Sequence, residues 1–435
     1  MQNFESEECT KSELDLFTIP PTQTTIEEGI WDTILPHPNF RESSTIRFDI
    51  SGTSLHYIDL SQTELHCEIQ LLNGQDGYTE EDGKKISVVN NLLHSLFKQI
   101  QVSMNNAPVE NTNDTYAYRA YMENLLCYSQ EAKNGFLRGD MWLKDSIDFD
   151  HTGADTTKTN PGFTQRSKLL QKKQSQHLIG RLHLDIFNTN KFLLNNINLQ
   201  LQLSRSDPKF YLIGSHETIS NYKIVINDIY LKIRRTAIAA SVMYAHTLAL
   251  EKTTAKYPIK RVVVKPLTVP YNSTKFSIVG IHHGIMPTRV VFGFVQTQAN
   301  DGDYQNNPFN FAHFGIKELN LKIASKSVPY STPLTFDFAN DDYMSGYIGL
   351  YKNIREAPND ISYLEYKTGN TLFAYDLTPD LCCSDHYNLS KDGSLDLDVT
   401  MSKTHDKSIT IIAYLEFDNI IEINNKRQII FDYKI

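Results

Sequence analysis

The sequence contains no Cys-x-x-Cys pair, no His-x-His pair and no Gly-x-Ser-x-Gly elbow. Its five cysteines, Cys9, Cys67, Cys127, Cys382 and Cys383, are an odd and scattered set. That usage indicates neither a disulfide framework nor a thiolate zinc site, and reduced thiols in an intracellular assembly compartment fit it best. The missing His-x-His removes the pattern by which alternate residues of one strand grip a single metal inside a cupin barrel. Long apolar runs are missing as well. Stretches such as Val290–Val295 fall far short of the roughly 18 residues that cross a bilayer. Glu5, Glu7 and Glu8 stand where a secretory signal would be basic and then apolar, so no secretory route is expected. The glycosylation patterns at Asn272-Ser-Thr and Asn388-Leu-Ser therefore read as chance. A basic excess is absent too: 42 Lys and Arg face 51 Asp and Glu, a net charge of −9. Such a balance argues against a protein whose main task is to hold phosphate backbones. The densest basic stretch, Lys168–Lys173, reads as a solvated loop.

The remaining candidates for chemistry are weak. Gly77–Gly83-Lys84 has five residues between its glycines where a P-loop has four, and Lys85 stands where Ser or Thr would meet magnesium. It reads as an acidic turn carrying Glu80, Glu81 and Asp82. Asn300-Asp301-Gly302-Asp303 lacks the spacing and bidentate Glu of a calcium loop and reads as a β-turn. His282-His283 are adjacent, so a strand would point them to opposite faces, and they read as polar loop residues before Gly284. Cys382-Cys383 near Asp385-His386 read as two unpaired thiols, not as a nucleophile and its base. No catalytic residue, metal ligand or cofactor is expected, and the chain is not expected to be an enzyme.

What is abundant is β-sheet patterning. The chain holds 23 Tyr and 22 Phe against 2 Trp, and 435 residues are too many for one ordinary core. Ile197–Leu203 and Leu395–Met401 both alternate apolar and polar residues without a fault, the period of a half-buried strand. Each is followed by another strand-like stretch, Tyr222–Arg235 and Ser408–Phe417, so one β-rich passage is stated twice. Further strands are expected in the first half at Thr45–Ile50, Tyr57–Leu72, Lys98–Met104 and Leu178–Phe187. In the second half they are expected at Ile259–Val269, Thr274–Val279, Thr288–Gln296, Glu318–Ala324 and Thr371–Leu377. A hairpin, Ile420–Ile423 with Gln428–Tyr433, turns at Asn424-Asn425. Helices are expected at Asn90–Leu96, at Tyr116–Tyr128, where apolar residues recur at helical spacing, and at Asp341–Lys352. Ser129–Gln176 is a long polar stretch, an elaborated connection or a contact element.

This pattern predicts an all-β chain of two tandem eight-stranded jelly-roll sandwiches with short helices in the long connections. The divisions are an extended arm at 1–24, stiffened by Pro20 and Pro21, a first jelly roll at 25–235, a connecting segment at 236–256 and a second jelly roll at 257–435.

Several ordered blocks carry a resemblance: Leu14–Ile26, Leu93–Phe97, Tyr116–Glu123, Leu178–Phe187, Leu250–Ile259, Asn307–Phe311, Leu372–Asp380 and Glu416–Glu422. Together they resemble the double jelly-roll major capsid protein of Polinton/Maverick elements and adintoviruses, a lineage that includes adenovirus hexon. The resemblance runs from about residue 14 to the C-terminus. It implies a homotrimeric capsomer whose six sandwiches form a pseudo-hexagonal tile of an icosahedral shell around double-stranded DNA. It also implies a vertex penton protein with a single jelly roll as a partner, and location in the virion capsid. Synthesis would be cytoplasmic, with assembly inside the host cell, the nucleus included. The family has no catalytic residues to carry over. Because the chain is much shorter than hexon, a low top built from Ser129–Gln176 and Ala299–Phe309 is expected. The arm, Met1–Thr24, would reach under a neighbour or contact an internal minor capsid protein. No membrane span and no tight sequence-specific nucleic-acid binding are expected. Two other classes fit a jelly roll: a glycan- or receptor-binding protein acting alone, which would be a monomer, and a divergent double-cupin enzyme, which would carry stoichiometric metal.

Overall fold

The computed structural model describes residues 10–433 except 74–75, 78–84, 154–158, 172–174, 216, 218, 355–358 and 382–385, with backbone alone at 76–77. Sixteen principal strands fall into two sets of eight. The first set is β1 (Ile26–Ile34), β2 (Thr45–Ile50), β3 (His56–Asn73), β4 (Phe97–Met104), β5 (Ala107–Asn111), β6 (Gln176–Arg181), β7 (Leu199–Arg205) and β8 (Tyr222–Ile238). The second set is β9 (Ala255–Thr268), β10 (Lys275–Ile285), β11 (Arg289–Gln296), β12 (Ile316–Ile323), β13 (Lys326–Ser327), β14 (Leu372–Asp376), β15 (Asp392–Met401) and β16 (Ile409–Ile423).

In the first set one sheet runs β1-β8-β3-β6 and the other β2-β7-β4-β5. In the second, one runs β9-β16-β11-β14 and the other β10-β15-β12-β13. All these pairings are antiparallel, and the same strand order arises twice from the same chain order. Two four-stranded sheets built from strands 1-8-3-6 and 2-7-4-5 are the double Greek key of a jelly roll. The fold is a double jelly roll.

The two alternating runs explain why each sandwich closes. Leu199, Leu201 and Leu203 of β7 are fully buried, and the polar residues between them lie on the other face. Register places Phe48, Leu201 and Val102 in one row and Ile50, Leu199 and Met104 in the next. In β15, Leu395, Leu397, Val399 and Met401 are buried in the same alternation. Its rows are Phe276, Val399 and Leu319, then Ile278, Leu397 and Leu321. Burying each such side chain stabilises the fold by about 1.5–3 kcal/mol. Thus β7 and β15 hold the same place, second from one edge of the corresponding sheet.

The repeat extends to the helices. The helix α1 (Tyr116–Cys127) lies between β5 and β6, and its counterpart α4 (Met344–Asn353) lies between β13 and β14. Between them in sequence come α2 (Pro161–Leu170) and α3 (Ala240–Lys252). The stretch 129–176, read as polar connection, is folded. Trp142, Leu143, Phe163 and Leu170 are buried within it, and α2 starts with Pro161 behind an Asn160 cap that accepts from Phe163 N. Between the halves β8 continues to Ile238, α3 follows, and β9 begins at Ala255.

Three sequence readings need correction. Leu178–Phe187 is strand only as far as Arg181; residues 182–187 turn inward, and Ile186–Asn188 form a 3₁₀ turn. β1 and β5 were not anticipated. β1 is exposed along most of its length, so it shows no alternation, and β5 is short and carries Pro108. The hairpin at Asn424-Asn425 exists, although Ile420–Ile423 is the end of the long strand β16 and pairs with Ile429–Phe431.

Candidate functional site: the seam between the sandwiches and the exposed surfaces

The first-half helix α1 brings a charged pair to the junction of the two halves. Arg119 and Glu123 lie one helical turn apart, and Arg119 Nε donates to Glu123 Oε1 at 2.9 Å. Nη1 donates to Glu110 Oε1 of β5 at 2.7 Å, and Nη2 lies 2.8 Å from Asp185 Oδ1. Asp185 sits on the inward turn after β6, and its amide donates to Glu110 Oε2 at 2.8 Å. The second half closes the network: Val262 N of β9 donates to Asp185 Oδ1 at 3.0 Å, and Tyr414 of β16 donates to Glu123 Oε1 at 3.3 Å. His183 Nδ1 lies 2.6 Å from Glu123 Oε2.

One guanidinium thus faces three carboxylates in a buried site. Burial is the largest influence on each, and it is overcome only at Glu123, where Arg119 together with the hydrogen bond to His183 holds the carboxyl down at about 2. Burial and the neighbouring Asp185 charge push Glu110 up, and burial raises Asp185 as well. The Glu110–Asp185 pair therefore keeps a proton that two exposed carboxylates would lose, since two like charges in a desolvated pair disfavour double ionisation. This is the chemistry of a structural clamp. Among the described residues no group of three or more His, Cys, Asp or Glu side chains is placed to hold a metal ion.

A second seam lies among the long connections. Asp145 receives Arg166, the Asn160 side-chain amide at 2.9 Å and Asn307 Nδ2 at 3.1 Å. Asp150 accepts from Asn307 N at 2.8 Å and Asn310 Nδ2 at 2.6 Å. Lys144 reaches Asp360 at 3.3 Å and Glu365 at 3.2 Å. The rings of Tyr121 and Phe309 stack at 4.1 Å between them. The two stretches expected to share one end of the molecule, 129–176 and 299–309, are therefore in direct contact.

The other sequence candidates stay apart. His282 and His283 lie in strand β10 rather than in a loop; His282 packs on Phe417 and its Nε2 lies 2.9 Å from the Ile285 carbonyl. Asn300 and Asp301 end a short helix, Thr297–Asp301, and Gly302 follows with φ +98°, so this is a helix terminus rather than a plain β-turn. Lys168 is exposed on α2, while Lys172 and Lys173 lie outside the described residues. So do Cys9, Cys382, Cys383, Asp385, Gly83 and Lys84, with Glu80, Glu81 and Asp82; Gly77 is described by its backbone alone. Cys67 is buried and Cys127 exposed, and neither forms a disulfide. No helix of the described residues is long and apolar enough to cross a membrane.

The seam was not foreseen as a site. Its sequence signal is Arg119 and Glu123 four apart on an otherwise apolar helical stripe, a pair that burial would force to find partners.

The surface offers contact elements. Each sheet ends in a strand paired on one side only, β1, β2, β9 and β10 among the described residues. Unprotected edges of this kind are templates for another chain. Large apolar side chains stand in solvent on β1 (Ile30, Trp31), on α3 (Tyr244, Leu248) and on α4 (Met344, Ile348).

No family model matches the chain. It is 22% identical over 429 residues to "Uncharacterized protein F54H12.2" of Caenorhabditis elegans, covering 95% of this chain and 99% of that one. Among solved structures, a chain of the Sputnik virophage structure determined by cryo-EM superposes with a TM-score of 0.65 at 12% identity, over 99% of this chain and 93% of that chain. The Faustovirus major capsid protein superposes with a TM-score of 0.56 at 8% identity, over 94% of this chain and 92% of that chain. The mavirus major capsid protein gives 0.51 at 10% identity, over 99% and 96%. At these identities the likeness is one of fold, and it extends over both sandwiches.

Proposed function

We propose that the chain is a major capsid protein of the Polinton/Maverick and adintovirus lineage, and that it assembles as homotrimeric capsomers. Three copies place six jelly rolls in a pseudo-hexagonal tile, and such tiles cover an icosahedral shell around double-stranded DNA. Residues 25–235 and 257–435 are the two units of the tile, 236–256 joins them, and 1–24 is the arm. The task is structural, with no catalysis and no cofactor.

The observation that carries this reading is the pairing of two equivalent sandwiches across a buried polar seam. Arg119, Glu110, Glu123 and Asp185 meet Val262 and Tyr414 there, so each half is held in one orientation to the other. A tile with sixfold outline from three chains requires that fixed orientation; two flexibly tethered domains would not repeat it. The unpaired edge strands and exposed apolar residues supply contacts to other copies, and the capsid-protein fold neighbours support the same assignment. Further partners in this reading are neighbouring capsomers, a single jelly-roll penton protein at the vertices and internal minor capsid proteins reached by the arm. The setting is the virion capsid, assembled inside the host cell.

Electron microscopy of the overexpressed full chain tests the proposal. Trimeric tiles or closed shells are the expected result; dispersed single copies that bind a glycan would replace it with the solitary-receptor reading.

A further inference from the structure

At the root of the arm the structure carries an apolar cleft of about 440 Å³, lined by α3, the end of β8 and the start of β9. Its walls are Phe192, Leu194, Ile238, Val242, Leu250 and Tyr257. The Tyr257 hydroxyl is fixed at the back by accepting from Leu194 N at 3.1 Å and donating to the Phe192 carbonyl at 3.2 Å. α3 forms an outer wall, and Leu250 is its buried residue. The volume is that of a site for a small ligand or a few side chains.

Two lysines, Lys191 and Lys256, line the cleft; no Asp or Glu is among its lining residues, and Glu422, opposite Lys256 in the sheet, accepts from Thr254 at its edge. The same structure holds an apolar segment with no place to go. Leu14, Leu16, Phe17 and Ile19 are 69%, 76%, 95% and 88% exposed, a contiguous group that water disfavours. Acids stand at its N-terminal end, Glu13 and Asp15, with Glu5, Glu7 and Glu8 further upstream, and Glu13 pairs with Lys11 at 3.2 Å. An apolar segment with acids at its N-terminal end matches an apolar cleft with two lysines on its wall.

The arm does not enter the cleft beside its own root. Ala239 N donates to the Thr25 carbonyl at 3.0 Å, and Thr25 and Ile26 themselves form part of the cleft's wall. Pro20 and Pro21 then hold the chain extended as it leaves, which carries Leu14–Ile19 away from its own subunit. The five residues between Ile19 and Thr25 span at most about 20 Å.

We infer that Leu14–Ile19 of one copy docks in the cleft under α3 of a second copy, so that arms tie neighbouring subunits together. This deepens the proposed capsid role and rests on it for the existence of the neighbouring copy. Phe17 enters among Phe192, Val242 and Leu250, while Glu13 and Asp15 face Lys191 and Lys256. The opposite face of α3 carries Tyr244 and Leu248 exposed.

The test replaces Phe17 by the photoreactive benzoylphenylalanine in the full-length assembled chain. Illumination is followed by a denaturing gel and peptide mapping, with light scattering on the same sample before illumination. The inference predicts a product of twice the chain mass, cross-linked from position 17 into residues 238–257. Ala249→Trp, which fills the cleft from an exposed helix position, should cut that product about tenfold, the usual effect of blocking a buried interface anchor. Raising salt should weaken it further. A thermal melt of Ala249→Trp matching the unsubstituted chain shows that the loss is not misfolding. Cross-links confined to a single chain, or mapped to another surface in a sample that scatters as a trimer, overturn the docking inference and leave the capsid reading standing. A sample that scatters as a monomer overturns both.

Discussion

The two sandwiches share strand order and the position of a helix between the fifth and sixth strands, yet they use that helix differently. In the first half α1 buries Arg119 and Glu123 and takes charge into the seam. In the second, α4 covers β14 through Asn353, which donates to the Ala374 carbonyl at 2.8 Å, beside a run of stacked rings. Tyr343 lies between Phe338 at 5.2 Å and Tyr363 at 4.3 Å. The long strands differ as well: β3 spans 18 residues and its second-half counterpart β11 only 8. A duplicated frame therefore does not make the halves interchangeable. The strands set the outline, and the connections decide which half clamps and which half is clamped.

The largest effect expected from breaking this comparison lies at Arg119. Arg119→Met leaves Glu110, Glu123 and Asp185 buried without a cation and should cost about 3–5 kcal/mol, read by urea unfolding. Tyr343→Leu in the second half removes ring stacking without stranding a charge and should cost less, about 0.5–1.5 kcal/mol beyond the area lost. Equal losses at the two positions would show that α1 and α4 do the same work.

Next come the equivalent strands. Leu201→Ala in β7 and Leu397→Ala in β15 each remove a fully buried side chain from the centre of a sheet. Each should cost about 2–5 kcal/mol. A ratio far from one would show that the sandwiches, alike in outline, are packed to different standards.

A smaller effect sharpens the role of the seam through pH. Burial and the neighbouring Asp185 hold the Glu110 carboxyl well above its ordinary value of 4.5. A carboxyl that keeps its proton longer in the folded state contributes stability that is full below its unfolded value and is lost as pH rises through the folded one. Stability should therefore decline as pH rises above about 4.5, and Glu110→Gln should flatten that slope. Glu123 works in the opposite sense: held down at about 2 from 4.5, its contribution is present above pH 4.5 and fades as pH falls toward 2. Thermal melts across this range, with Glu123→Gln as the second variant, separate the two.

The smallest change in folding is expected at β1. Trp31→Ala alters a half-exposed residue on an edge strand and should shift the melting of isolated subunits little, while lowering the yield of assembled particles. Loss of both together would place Trp31 in the core of its own subunit instead.

Much of the fold was legible because burial on one face writes a period of two into a strand. Thr45–Ile50 was read to the residue, and β7 and β15 announced themselves by faultless alternation. β1 was illegible for the same reason reversed: Glu27, Glu28, Ile30 and Trp31 are all exposed, so no face is marked. The stretch 129–176 looked like polar connection because the buried face of its helix mixes Phe163 and Leu170 with Arg166 and Ser167, which hides the apolar stripe. The seam was hidden differently. Arg119 finds Glu110 nine residues back and Asp185 far ahead, and only the closed fold brings these together. The arm's apolar residues were visible in the sequence, while the cleft suited to them is assembled from β3, β8, α3 and β9 and has no linear signature.

In the proposed reading, two sandwiches per chain let three chains form one tile. Size-exclusion chromatography with multi-angle light scattering on the purified full-length chain tests it most directly. A single species at three times the chain mass is the predicted result; a species at one chain mass, unchanged as concentration rises, would contradict it.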